Sequence, residues 1–173
     1  MRPLIVLALF AGVAAADPLD VEWRVYPMPD PSSIDGSKQP VELVATVGAA
    51  TQRVKLPAQL GQLPPRYQTA CRGKLPRGED VVSPLRAGEL AAIAFEEGGT
   101  GGYLLRRSGD RLAVIAWSQD DGACPGRRGE PVACPRHDRV VTELRVPAFA
   151  SIREHIALVD AKGGRRAFAC AGD

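Results

Sequence analysis

Alternation with a period of two, broken repeatedly by glycine and proline, is the feature that most narrows the folds open to this chain. Val21, Trp23 and Val25 alternate with Glu22, Arg24 and Tyr26. Val41, Leu43, Ala45 and Val47 alternate with Glu42 and Thr46, with Val44 interrupting the polar side, and Val54 and Leu56 alternate with Arg53 and Lys55. Side chains of an extended strand leave on alternate faces, so each segment buries one face and wets the other. Gly48, between Val47 and Val54, marks a hairpin connection.

The stretch 58–88 is different. Prolines at 64, 65, 76 and 84 and glycines at 61, 73, 78 and 88 make it a long connection, expected to lie over the sheet and to be held down by Cys71. After it, Ser83-Pro84 offers a cap for a short helix ending at Gly98, but Gly88 and the Ile93-Ala94-Phe95 run favour a buried strand starting near Leu90. Tyr103–Arg107 and Arg111–Trp117 flank a Ser108-Gly109-Asp110 turn and predict a second hairpin. The second arm, Leu112–Trp117, is apolar on both faces and therefore belongs at the centre of a sheet, covered on both sides. A long polar loop, 118–138, precedes another alternating strand, Arg139–Val146. His155–Asp160 and Arg165–Cys170 then predict a terminal hairpin.

The expected fold is all-β with little helix, an antiparallel β-sandwich or partly open barrel of about eight or nine short strands. No period of 20–50 residues recurs, which excludes a repeat architecture.

The first sixteen residues predict export. Arg2 supplies a positive end, Leu4–Val13 an apolar run, and Ala14-Ala15-Ala16 the small residues of a signal-peptidase site, with cleavage before Asp17. The apolar run is too short to span a bilayer, which takes roughly 20 residues. The expected product, 17–173, is one β-rich domain, free in the periplasm or the medium without stable membrane insertion. Of 22 basic and 20 acidic residues only Arg2 lies in the leader, so this product carries a charge of +1. A near-neutral balance argues against a nucleic-acid partner, which calls for a basic face.

Four cysteines, an even number, suit an oxidising compartment. Cys124 and Cys134 close a loop rich in proline, glycine and arginine, and are expected to pair. That leaves Cys71 for Cys170, which would tie the middle of the chain to its end.

Chemical signatures are weak. Cys124, Cys134 and His137 lie as C-x9-C-x2-H with Asp138 adjacent, but the paired C-x2-C knuckles of structural zinc are missing, and exported thiols favour a disulfide. Asp120-Asp121-Gly122 is a fragment of a calcium loop. Glu96 and Glu97 are adjacent on a strand and so point apart, unsuited to the facing carboxylates of a glycosidase. There is no G-x-S-x-G elbow, and His155 beside Glu154 fits a surface role. No catalytic residue, metal or cofactor is assigned.

Three arginine pairs remain: Arg106-Arg107, Arg127-Arg128 and Arg165-Arg166. Brought together, their guanidinium forks would suit carboxylate or phosphate, whereas scattered on turns and sheet edges they would guard against aggregation. The expectation is an exported, non-enzymatic binding or structural module whose partner is a protein or an anionic glycan, with the loops 58–88 and 118–138 as its contact surface. Two other readings stay open. One is a secreted hydrolase assembled from Asp120, Asp121, Glu96 or His137, and the other is a protease inhibitor built on the loop 124–134.

Overall fold

The computed structural model describes residues 16–29, 38–60, 85–96, 100–120, 122–160, 162 and 164. These form ten strands and no helix: β1 (Leu19–Val25), β2 (Lys38–Val47), β3 (Ala50–Leu60), β4 (Glu89–Glu96), β5 (Thr100–Ser108), β6 (Arg111–Gln119), β7 (Ala123–Pro125), β8 (Pro131–Ala133), β9 (His137–Arg145) and β10 (Ile152–Leu158). Two four-stranded sheets, ordered β10-β1-β2-β3 and β4-β5-β6-β9, carry the core, and β7-β8 forms a separate two-stranded ribbon. The sheets share one apolar cluster as a sandwich does, and neither closes into a barrel.

The period-two segments become the strands that their alternation predicts. In β1 Leu19, Val21, Trp23 and Val25 are fully or almost fully buried, while the residues between them are half-exposed. Their register across β2 sets Trp23 opposite Leu43 and Val21 opposite Ala45, so the apolar faces coincide. Facing them from the second sheet are Ile93, Phe95, Tyr103, Leu105 and Val114, all buried. Burying each large side chain contributes about 1.5–3 kcal/mol. The strand reading of the segment after Pro84 holds, with β4 running antiparallel to β5. As its composition requires, β6 is buried on both faces from Leu112 to Ile115.

Both predicted hairpins form, and both close on two-residue loops. Gly48-Ala49 joins β2 to β3 and Gly109-Asp110 joins β5 to β6, and the glycines adopt φ of 56° and 61°. Positive φ at the first loop position suits a type II′ turn, which matches the twist of the flanking strands. Gly102 answers to a different constraint. A Cβ there would collide with the carbonyl oxygen of Ile93, so the close approach of β5 to β4 depends on its absence.

Several expectations are corrected. The sandwich is not wholly antiparallel, because β10 runs parallel to β1, from Leu19 opposite Ile152 to Val25 opposite Leu158. A parallel pair needs a long connection, and here everything from β2 to β9 intervenes. The first arm of the expected terminal hairpin therefore pairs with the start of the domain, and its second arm, 165–170, lies outside the described residues. The loop 118–138 contains the β7-β8 ribbon, which raises the strand number to ten. In β9 the alternation changes phase at a bulge opposite Val114 and Ile115, so Val140 is 57% exposed while Leu144 is buried. The leader up to residue 15, most of 58–88, and the Cys71–Cys170 pair lie outside the described residues. Among the described residues no helix is long and apolar enough to cross a membrane.

Side chains stitch the sheet edges together. On one side Glu154 of β10 accepts hydrogen bonds from the Trp23 indole N–H at 2.6 Å and the backbone N–H of Ala92 in β4 at 2.9 Å. On the other side the Gln52 amide donates to the carbonyl of Arg145, and the Tyr103 hydroxyl donates to the carbonyl of Pro57. Edge groups so engaged are not available as templates for another chain.

Candidate functional site

The ribbon is where the chain leaves the shelter of the core. Cys124 and Cys134 are joined as expected, with Cα atoms 4.9 Å apart, and close the arms β7 and β8. Ala123 pairs with Ala133, Cys124 with Val132 and Pro125 with Pro131. At the tip the Gly129 N–H donates to the Gly126 carbonyl at 3.0 Å, and the Gly126 N–H donates to that of Glu130 at 2.7 Å. Gly129 has a φ of 82°. This is a tight turn followed by a left-handed glycine, the geometry of a bulge-closed hairpin. The Glu130 carboxylate fastens it by accepting the Arg128 N–H at 2.9 Å.

Arg127 and Arg128 occupy the two central positions of that turn. Every residue from Arg127 to Ala133 is exposed, and neither arginine forms an ion pair with a described residue. Val132, at 41% exposure, lies on β8 opposite Cys124, with the exposed prolines 125 and 131 between it and the turn. The finger therefore combines two unspent positive charges with an apolar flank.

Its base is anchored by charge. Gln119 donates to the Cys134 carbonyl at 2.8 Å, and two residues on, the Arg136 side chain turns inward and is only 6% exposed. There its guanidinium grips Asp138 through two hydrogen bonds, Nε to Oδ1 at 2.8 Å and Nη2 to Oδ2 at 3.0 Å. It also donates to both carboxylate oxygens of Glu89, whose side chain is fully buried. Arg106 closes the ring, at 3.0 Å from Glu89 and 2.8 Å from Asp138. The Arg86 N–H adds a further bond to Glu89 at 2.9 Å. Arg136 also lies over the Trp117 ring, 5.9 Å from its centroid. The indole N–H of Trp117 is buried without a hydrogen-bond acceptor among the described residues.

Two arginines and two carboxylates make this cluster neutral. Burial pushes the Glu89 carboxyl up, but the bonds from Arg136, Arg86 and Arg106 outweigh it and hold it at about 2. For Asp138 burial is likewise overcome by Arg136 and Arg106, and its carboxyl is lowered. Arg136 is opposed by burial and raised by Glu89 and Asp138. Both carboxylates are thus ionised at neutral pH and unsuited to general acid work. The cluster is an anchor that ties β4, β5 and β9 to the foot of the ribbon.

The arginine pairs do not share a fate. Arg106 is committed to Glu89 and Asp138, whereas Arg107, its neighbour on the opposite face of β5, is exposed and lies over Phe149 at 4.4 Å. Arg127 and Arg128 form no ion pair with the described residues, and Arg165 and Arg166 fall outside them. Asp120 and His137 are exposed, and no hydrogen bond joins them. Asp121, Glu97 and the side chain of Glu96 are outside the description. With the sulfurs of Cys124 and Cys134 bonded to each other, the C-x9-C-x2-H set loses two of its zinc ligands. Among the described residues no group of three acidic, histidine or cysteine side chains is placed to hold a metal.

Sequence reasoning missed Glu89 and Arg136 altogether and weighed Asp138 only as a zinc ligand. Nothing local marks them, since Glu89 and Arg136 are 47 residues apart and meet only through sheet register. No family model, curated protein or solved structure matches this chain.

Proposed function

We propose that this protein is an exported, non-enzymatic binding or structural module whose contact surface is the disulfide-closed ribbon 123–133. The observation that carries the reading is the contrast within the ribbon: a rigid, covalently closed, charge-anchored hairpin whose tip is wholly exposed. Binding residues gain from such presentation, because little conformational freedom is left to lose on docking. The ligand is anionic, a protein surface or a glycan, since two adjacent guanidinium groups favour carboxylate, sulfate or phosphate. The disulfide accords with an oxidising, extracytoplasmic compartment, and export before Asp17 completes the reading.

The turn geometry favours this reading over the inhibitor. Strand-like recognition needs an extended segment that can add to a partner's sheet edge, and Arg127 and Arg128 are instead wound into a hydrogen-bonded turn.

Three measurements test it. The intact mass of the exported protein is expected to lack the first sixteen residues and to be about four hydrogens short of the reduced value, as for two oxidised pairs. Purified protein is expected to leave ester, peptide and glycoside substrates unchanged, and turnover of any of them would overturn the non-enzymatic reading. Replacing 123–134, both cysteines included, with a short Gly-Ser linker is expected to preserve the fold and abolish retention on anionic matrices. Undiminished retention would remove the ribbon as the contact surface.

A further inference from the structure

We propose that the ribbon's partner is an acidic polypeptide with apolar side chains interspersed among its carboxylates, in preference to a sulfated glycan or an anionic lipid surface. The inference rests on the reading of the ribbon as contact surface and adds the class of ligand. Three observations carry it. First, the positive charge is compact: Arg127 and Arg128 are consecutive on one turn, and the nearby Arg106 and Arg136 are spent on Glu89 and Asp138. A polyanionic glycan rewards a row of cations spread along its length, because its affinity grows with the number of charges neutralised. On the ribbon 123–133 the row stops at two.

Second, the flank is apolar. Val132 is one of only two large exposed hydrophobic residues among those described, and it lies between the arginine tip and the disulfide, with Pro125 and Pro131 exposed alongside. Apolar contact has no counterpart on a sulfated sugar, whereas a protein surface supplies it beside its carboxylates. Third, the charge pattern of the finger selects against close approach by a simple polyanion. Glu130, whose carboxylate accepts the Arg128 backbone N–H, places one negative charge on the turn itself. The arginines then act as paired forks for discrete carboxylates, bidentate and directional.

The experiment measures binding of the full exported chain, at low salt, to four probes. These are poly-glutamate, a random copolymer of glutamate and tyrosine, heparin, and phosphatidylcholine vesicles containing phosphatidylglycerol. Three proteins are compared: wild type, the double variant Arg127→Ala/Arg128→Ala, and Val132→Ser. All three substitutions are at exposed positions, and thermal unfolding checks that each variant folds. The expected result is tightest binding to the copolymer, weakened about tenfold or more by the double variant. Val132→Ser is expected to erase the copolymer's advantage over poly-glutamate while leaving heparin binding unchanged. Tighter binding to heparin or vesicles, lost in the double variant, would overturn the ligand class and leave the ribbon as contact surface. Copolymer binding that survives the double variant within about twofold would overturn both the ligand class and the ribbon. Absence of binding to every probe would overturn the inference outright.

Discussion

The sandwich interior and the β7-β8 ribbon solve the same problem, holding two strands together, by different means. Between the sheets Trp23, Leu43, Ile93, Phe95 and Tyr103 are removed from water and define the packing, with hydrogen bonds such as those to Glu154 satisfying the polar groups caught among them. The ribbon has no such interior. Three residues pair with three, the prolines and Val132 face solvent, and one disulfide with a few turn hydrogen bonds fixes the shape. The sandwich thus draws its stability from burial and is sensitive to volume and shape. The ribbon draws its form from covalent closure, the Glu130 bond and the turn glycines, and makes no use of the Arg127 and Arg128 side chains, which leaves them available for binding.

The sharpest way to break the sandwich is to add volume where the strands already touch. Gly102→Val is expected to cost more than about 4 kcal/mol or to prevent folding, because its Cβ would meet the Ile93 carbonyl. Thermal unfolding checks this, and a stable variant would mean that β4 and β5 approach less closely than described.

The next effect falls where the two regions join. Arg136→Met is expected to destabilise by about 3–5 kcal/mol, since it strips Glu89 of its main partner while leaving the carboxylate buried. The pH dependence has a definite sign. Glu89 is held at about 2, below its ordinary value of 4.5, so its contribution is complete above about pH 4.5 and is lost as the pH falls towards 2. That contribution is on the order of 3 kcal/mol. The gap between wild type and variant is therefore expected to narrow on acidification from pH 5 to below 3, as followed by denaturant unfolding at each pH. A gap constant with pH would show that Arg136 acts through packing on Trp117.

Opening the ribbon separates the two regions. In the chain-entropy picture a bridge closing so short a loop constrains the unfolded chain by about 3 kcal/mol. Cys124→Ser/Cys134→Ser is nonetheless expected to lower global stability by only about 1 kcal/mol, because the freed ribbon regains most of that entropy by opening locally in the folded protein. Amide exchange is expected to show lost protection at Gly126 and Gly129 with protection in β6 retained. Loss of protection throughout both sheets would mean that the ribbon is part of the cooperative unit. The smallest effect is at the tip, where Arg127→Ala/Arg128→Ala is expected to change unfolding stability by no more than about 0.5 kcal/mol. A larger loss would give the arginines a structural partner and end the contrast.

Much of the sandwich is legible in the sequence because its signals are local. Alternation in Val21–Val25 and Val41–Val47, the continuous apolar run of Leu112–Ile115 and the glycines of the two hairpin loops each state a strand or a turn within a few residues. The parallel return of β10 is not legible, since Ile152–Leu158 would alternate in the same way beside any neighbour. The phase change in β9 is equally hidden, as a bulge is a property of a pair of strands. The candidate site divides along the same line. Cys124, Cys134 and the Arg127-Arg128 pair stand out as a closed, charged loop, whereas the Glu89–Arg136 anchor that orients it appears only when β4 and β9 are brought to opposite edges of one sheet.

By itself the sequence determined an all-β fold, the two hairpins and a disulfide-closed arginine loop, because each follows from dihedral preference, side-chain period or loop length acting over short distances. Tertiary structure decided which of the described arginines are spent on carboxylates and which are left exposed. Whether a guanidinium meets a carboxylate depends on sheet register between segments tens of residues apart, and charge alone does not specify that register.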